Sequence, residues 1–468
     1  MNAEIDVNKI PKRILNSLLL SVSAGVVPRI GAPYIAIGRQ DEISALLSDL
    51  EQINEGAGTM RFIIGRYGSG KSFLIQLIRG YALEQNFITA DADLSPERRL
   101  TGGSGAGLAT YRELIAHLAS SASPEGGALP LILSRYFVSL KNSVIEEGTL
   151  PGDPEFSRLL QRKVYRTLSE LEGDVGGFDF ARVLSEYYLA SLEENEEKKS
   201  ACLRFLRGEY LTKTEAKNAL GFQVSHIIGD DNWYEFIKLF AALSVKIGYK
   251  GLLLFIDECV NLYKIPNRIS REANYEKLLA IFNDTLQGKA KCMGVVIGGV
   301  PQFLEDTRRG LFSYEALRSR LCDSRYTELG YRNLASPVIR LRRLSNNELY
   351  ALVVRLYKLY VQKEGERAPK LAQSELESFM TCALGKVGAE DMVTPREIIR
   401  DFLTLLNILR DNPEATFDAL LRGMRTSDVS RSVADSSPRE TPTEAKGETT
   451  RMQNASPKKT VTIFDLDI

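Results

Sequence analysis

Residues Gly65-Arg66-Tyr67-Gly68-Ser69-Gly70-Lys71-Ser72 have the spacing G-x-x-x-x-G-K-S, in which each fixed residue type has a physical task. The glycines let the backbone curl so that successive N–H groups point inward at phosphate oxygens. A helix beginning at the end of such a loop adds its positive N-terminal end. Lys71 is then placed to reach the β and γ phosphates, and the Ser72 hydroxyl to sit on Mg²⁺. The ligand chemistry is that of a nucleoside triphosphate, taken as ATP. A chance match is the alternative for so loose a pattern. Here the loop lies between an apolar strand, Phe62-Ile63-Ile64, and a helix from Ser72 to about Tyr81, the context a true phosphate loop needs.

A second pair of residues completes such a site. The apolar run Leu252-Leu253-Leu254-Phe255-Ile256 ends in Asp257-Glu258. Acids are costly in a core, whereas at a strand end beside a phosphate loop the first can hold the metal and the second can activate water. Asp257 is assigned to Mg²⁺ and Glu258 to water; a solvated strand end is the plainer alternative. From Lys71 to Asp257 the numbering advances by 257 − 71 = 186, far more than one βαβ crossover requires, so a helical module must interrupt the core.

Nine arginines (308, 309, 318, 320, 325, 332, 340, 342 and 343) fall within 36 residues that contain no lysine. Guanidinium groups bind phosphate with two prongs, so the cluster suits γ-phosphate contacts between subunits or a nucleic-acid backbone. Arg318 and Arg320 are the best placed for an arginine finger; a salt-bridged helical face is the alternative for any one of them. Thr394-Pro395-Arg396-Glu397 opens a late helix with proline in its first turn, from which Arg396 can fold back onto the phosphates or simply cap the surface. The two histidines, His117 and His226, have no partner nearby in sequence, and no Asn-Lys-x-Asp is present to select guanine.

The elements that must position these residues are those of an α/β protein built on a parallel sheet. Residues 1–36 read as an N-terminal helical strap, with Ile10, Ile14, Leu18, Leu19 and Val22 at helical spacing before breaks at Pro28, Gly31 and Pro33. Residues 37–118 form the first part of the core and 119–245 a helical insertion, in which Trp233, Phe236, Ile237 and Phe240 share one helix face expected to be buried. Within the first part, Phe87 to Ala90 reads as a strand and the glycine-rich run 101–107 as a mobile loop. Residues 246–345 complete the core, with strands at Met293–Ile297 and Val338–Leu341, and 346–425 form a helical lid. Residues 426–468 are too polar to fold alone, except for the apolar and acidic peptide Val461 to Ile468 at their end.

Bulk properties narrow the class. Lys plus Arg and Asp plus Glu are both 60, so no net field draws the chain to nucleic acid or acidic lipid. The five cysteines are scattered, no apolar run approaches the roughly 20 residues that span a bilayer, and the first residues are acidic. These features point to a cytoplasmic protein without a membrane anchor.

In order along the chain, Ile37-Gly38-Arg39-x-x-Glu42, the phosphate loop, Asp257-Glu258, the arginine region and Thr394-Pro395-Arg396 resemble AAA+ ATPases. A closer resemblance is to the ATP-binding proteins of bacterial BREX-type phage-defence systems, carried by residues 25–31, 65–73 and 248–264. It covers about residues 8–410. The resemblance implies Gly38 and Arg39 near the adenine and Arg318 or Arg320 offered to a neighbouring subunit of a homo-oligomer. It also implies that Arg396 is a lid arginine sensing the γ phosphate. One departure concerns the end of the fourth strand, where Gly298-Gly299-Val300-Pro301 stands in place of a polar sensor. Three readings follow: an ATPase working on or beside DNA in a defence complex, a nucleotide-gated scaffold whose C-terminal peptide recruits partner proteins, or a kinase using the same loop.

Overall fold

The structure, a computed structural model, describes residues 10–169, 176–323, 331–385 and 394–424. Arg325 and the acidic C-terminal peptide lie outside these ranges. The centre is a five-stranded parallel sheet of β1 (Gly58–Ile64), β2 (Ile88–Asp93), β3 (Leu252–Asp257), β4 (Met293–Gly299) and β5 (Val338–Arg340). Its order is β2-β3-β4-β1-β5, so β4 separates the strand that ends at the phosphate loop from the strand that ends at Asp257.

Both faces of the sheet are covered, which is why its strands read as nearly continuous apolar runs. Side chains alternate between the faces. Phe62, Leu254 and Val295 join one core, and Ile63, Phe255 and Val296 join the other. The second, smaller core is closed by α2 (Gln40–Asn54) and α3 (Lys71–Glu84), which bury Leu46, Leu50, Leu74 and Ile78.

The larger core includes α4 (Ala106–Ala116) and the six further described helices of the long β2–β3 connection. These are α5 (Leu129–Glu146), α6 (Phe156–Ser169), α7 (Gly177–Leu192), α8 (Glu196–Leu206), α9 (Lys213–Leu220) and α10 (Trp233–Lys246). Trp233, Phe236, Ile237 and Phe240 are all buried, as their spacing predicts. The helices between the later strands are α11 (Val260–Tyr263), α12 (Arg268–Leu286), α13 (Pro301–Glu305) and α14 (Glu315–Leu321).

The glycine-rich run at 101–107, expected to be mobile, is tied down. Asn274 Oδ1 accepts from the amides of Leu100 and Thr101, and Asp230 accepts from those of Gly102 and Leu108. Gly107 packs on the Trp233 ring, whose Nε1 donates to the Leu100 carbonyl.

A third core lies apart from the sheet. Helix α1 (Lys12–Ser23) buries Leu15, Leu18, Leu19 and Val22 in the same cluster as α15 (Asn346–Glu364), α16 (Gln373–Leu384) and α17 (Pro395–Asp411). The two ends of the described chain thus share one helical cluster. Helix α15 starts at a capping box of Ser345 and Glu348, and α17 at one of Thr394 and Glu397.

Arg61 on β1 locks several elements together. Its Nε and Nη2 grip Asp49 of α2 at 2.6 and 2.7 Å, and its Nη1 donates to the carbonyls of Leu334 and Ser336 just before β5. Both side chains are largely buried, so removing one partner strands a charge. Asp49→Ala should lower stability by about 3–5 kcal/mol, measured by thermal or urea unfolding of the whole chain, with Asp49→Asn losing less.

Candidate functional site

Backbone geometry builds the phosphate loop. Gly68 and Gly70 have φ of +73° and +93°, conformations that only glycine adopts without strain, and Gly70 starts α3 as its N-cap. A Cβ at Gly68 would come within 2.7 Å of Thr394, so the first turn of α17 rests directly on the loop. A Cβ at Gly65 would overlap the Ser69 hydroxyl.

Lys71 follows, 9% exposed, with its Nζ donating to the Arg66 carbonyl at 3.3 Å and lying 5.4 Å from the Tyr67 ring centroid. Burial pulls its pKa below the usual lysine value, while Asp257 and Glu258 push the other way. Ser72 Oγ donates to Asp257 Oδ2 at 2.7 Å, and Asp257 Oδ1 accepts the Glu258 amide at 2.8 Å. Residues on either side of the long insertion therefore meet at one hydrogen bond.

Glu258 adopts a left-handed φ of +54°, a costly conformation for a residue with a side chain and one concentrated at functional sites. Glu258 lines the pocket together with Lys71 and Ser72, close enough for its charge to act on the lysine. Asp93, at the end of β2, stands in register with Asp257. Burial, then the neighbouring Asp257 and Glu258, raise the Asp93 pKa. Sequence spacing held no sign of this third carboxylate, because only the pairing of β2 with β3 brings it there.

The departure at the end of β4 has a steric cause. A Cβ at Gly298 would overlap the Asp257 carboxylate, and one at Gly299 would come within 2.6 Å of Phe303. Glycine at these positions makes room for the acid that holds Ser72.

Above the loop the pocket is apolar. Val26, Val27 and Pro28 follow α1, Ile37 precedes α2, and Leu352 and Ile399 project from α15 and α17. The segment read from sequence as a strap thus forms part of the pocket wall, a role its helical periodicity does not signal. Arg396 lines the same pocket near Lys71, with its aliphatic stem 4.0 Å from a Cβ built at Gly25.

Of the remaining residues singled out by sequence, Tyr67, Gly68, Ser69 and Gly70 line this pocket with Arg39. Gly65 and Arg66 face an adjoining cleft on the far side of the loop, which Arg39, Tyr67 and Ser69 also border. Arg39 is 5% exposed and donates through Nη2 to the Ser69 carbonyl at 2.9 Å. Gly38 does not line the pocket; its Cβ position is blocked by Glu348 at 2.7 Å, and its carbonyl accepts from Arg342.

Arg318 and Arg320 are exposed on α14 and line neither the pocket nor the cleft of their own chain. Several arginines of the cluster are engaged within the protein. Arg309 donates to the carbonyls of Tyr263 and Ile265, Arg340 pairs with Glu305 and Asp323, and Arg342 forks onto Glu348.

Ser72 and Asp257 are the residues able to hold a divalent cation. Among the described residues no group of three or more His, Cys, Asp or Glu side chains is arranged to bind a metal. No described helix is long and apolar enough to cross a membrane.

A parallel sheet whose first strand opens into a glycine loop, with a lysine, a serine and a strand-end aspartate converging there, defines a phosphate-loop nucleotide-binding protein of the α/β class. The chain belongs to the family described as BREX system ATP-binding protein BrxC/D, whose family model matches residues 10–425. That description makes ATP the nucleotide and a BREX defence system the setting. No curated protein matches the chain.

Two outcomes test this geometry. A bound phosphate favours the Lys71 ammonium and so raises a pKa that burial has lowered; binding then takes up a proton above the free value, and ATP affinity falls as pH rises through it. Calorimetric titration across alkaline pH should show that fall, and Lys71→Met should bind about 10- to 150-fold more weakly with a flatter profile. Gly298→Ala should force Asp257 aside, costing about 1–3 kcal/mol of stability and weakening ATP binding in the presence of Mg²⁺ more than in its absence.

Proposed function

We propose that this chain is an AAA+-type ATPase that works on or beside DNA within its defence complex. The observation that carries hydrolysis is Glu258, held in a left-handed turn and lining the pocket beside Lys71 and Ser72. The strand order, with β4 between β1 and β3, supports the AAA+ assignment, as do the α15–α17 helices resting on the loop through Thr394.

On this reading the triphosphate lies along the loop with its base between the Val26–Pro28 segment and Ile399. Lys71 binds the β and γ phosphates. Ser72 and Asp257 hold Mg²⁺, which when bound neutralises charge on the same oxygens. Glu258 accepts a proton from water as the water oxygen attacks the γ phosphorus. The bond from that phosphorus to its bridging oxygen breaks, releasing ADP and phosphate. Arg396, carried by the α17 lid, stabilises the charge that spreads over the γ-phosphoryl oxygens. Arg318 and Arg320, exposed on α14, suit a contact with a neighbouring copy or with DNA, as does exposed Arg308.

The scaffold reading has its own support. The end of β4 is glycine where a polar side chain would orient water, and the space is taken by Asp257 and Phe303. ATP would then order the α15–α17 helices over the loop and leave partner recruitment to other segments.

One substitution separates the two. Glu258→Gln should bind ATP with unchanged affinity and hydrolyse it about 10²- to 10⁴-fold more slowly, read as phosphate release with no DNA, duplex DNA and single-stranded DNA. If the unsubstituted protein releases no phosphate under any of these conditions, hydrolysis is excluded and the scaffold reading stands; equal, measurable rates in both proteins exclude Glu258 as the base.

A further inference from the structure

Arg39 is buried at the wall of the nucleotide pocket, and only part of its guanidinium is satisfied. Nη2 donates to the Ser69 carbonyl at 2.9 Å, but Nη1 is buried with no hydrogen-bond acceptor. Its ion-pair partner Glu42 Oε1 lies at 3.6 Å, beyond hydrogen-bond distance. A buried guanidinium N–H without an acceptor is costly and calls for an explanation.

Glu42 does not close on Arg39 because it is held from the other side. The carboxylate is 1% exposed and accepts from Arg332 Nη2 at 2.7 Å, while Arg332 Nη1 reaches Asp41 at 3.2 Å. Arg332 lies 290 positions from Glu42 in sequence and does not line the nucleotide pocket. It sits on the stretch between α14 and β5, which Arg61 also anchors through the carbonyls of Leu334 and Ser336. Its side chain is 37% exposed, so the ion pair reaches the surface at one end and, at the other, a buried carboxylate beside Arg39, which lines the pocket.

We propose that Glu42 and Arg332 are positioning residues for nucleotide binding. Arg332 holds Glu42 off Arg39, which leaves Arg39 Nη1 open to a hydrogen-bond acceptor of the bound nucleotide and keeps Nη2 on the phosphate loop. ATP affinity is thereby coupled to the surface stretch 331–337, about which the family description says nothing. When Arg332 is removed, Glu42 closes on Arg39, takes up Nη1 and draws the guanidinium away from Ser69. The inference rests on ATP binding and is independent of hydrolysis.

The test is ATP affinity of the full chain by isothermal titration calorimetry, with adenosine in a parallel arm and thermal unfolding as a check on folding. Arg332→Ala should weaken ATP binding about 10- to 150-fold, the range of one hydrogen bond to a charged group. Arg332→Lys, which keeps a charge on Glu42, should return affinity to within about threefold of the unsubstituted chain. Arg39→Ala should weaken binding at least as much, and adding Arg332→Ala to it should cause no further loss, because Arg332 acts through Arg39. A loss shared by ATP and adenosine puts the acceptor on the nucleoside; a loss confined to ATP puts it on the phosphates.

Unchanged affinity in a folded Arg332→Ala protein overturns the proposal. So does an equal loss in the Arg39→Ala background, which would mark general damage to the fold. If Arg332→Ala does not fold, Arg332→Gln enters the same comparison. All arms run equally well in the Glu258→Gln background, so a chain without ATPase activity leaves the result unaffected.

Discussion

The hydrogen bond from Ser72 to Asp257 joins the two parts of the chain that the long helical connection separates. It forms only if β3 ends level with the phosphate loop, two strand positions from β1, and only if β4 between them presents no side chain at Gly298. A serine hydroxyl and a carboxylate at 2.7 Å are then held before any ligand arrives, which lowers the ordering cost of binding. The buried lysine beside them is the complement. Its ammonium loses hydration and is partly compensated by Asp257 and Glu258.

Around that junction the protein is built as a sheet with two covered faces and a separate helical cluster made from both ends of the described chain. The nucleotide pocket lies where they meet. One wall is the loop and α3; the other is the stretch after α1 together with α15 and α17. Thr394 against Gly68, the Arg342–Glu348 pair beside Gly38 and Phe73 packed against the cluster are among the contacts that hold it to the sheet. Arg342 holds Glu348 down at about 2, so this carboxylate stays charged throughout the neutral range. A ligand bridging both walls stabilises their docked arrangement by mass action.

The arginine-rich stretch illustrates how a charge pattern divides once folded. Arg332, Arg340 and Arg342 pair with acids, and Arg309 satisfies backbone carbonyls, so these side chains work within the molecule. Arg308, Arg318 and Arg320 remain exposed. A chain with equal numbers of acids and bases has no general pull on polyanions, so any such contact must come from a local patch of exposed bases.

What the sequence determined unaided was local. The G-x-x-x-x-G-K-S spacing, the apolar run ending in Asp257-Glu258, the buried stripe at Trp233, Phe236, Ile237 and Phe240, and the capped start of α17 were all legible. Each is a pattern within a few residues, governed by the strand and helix periods or by one turn's hydrogen bonds. The tertiary structure alone decided the rest. It brought Asp93 level with Asp257, turned Val26 to Pro28 into a pocket wall, explained Gly298 by the carboxylate above it, and set Arg332 against Glu42. These contacts join positions far apart in the chain, and their partners follow from strand order and helix packing, which no short stretch of sequence encodes.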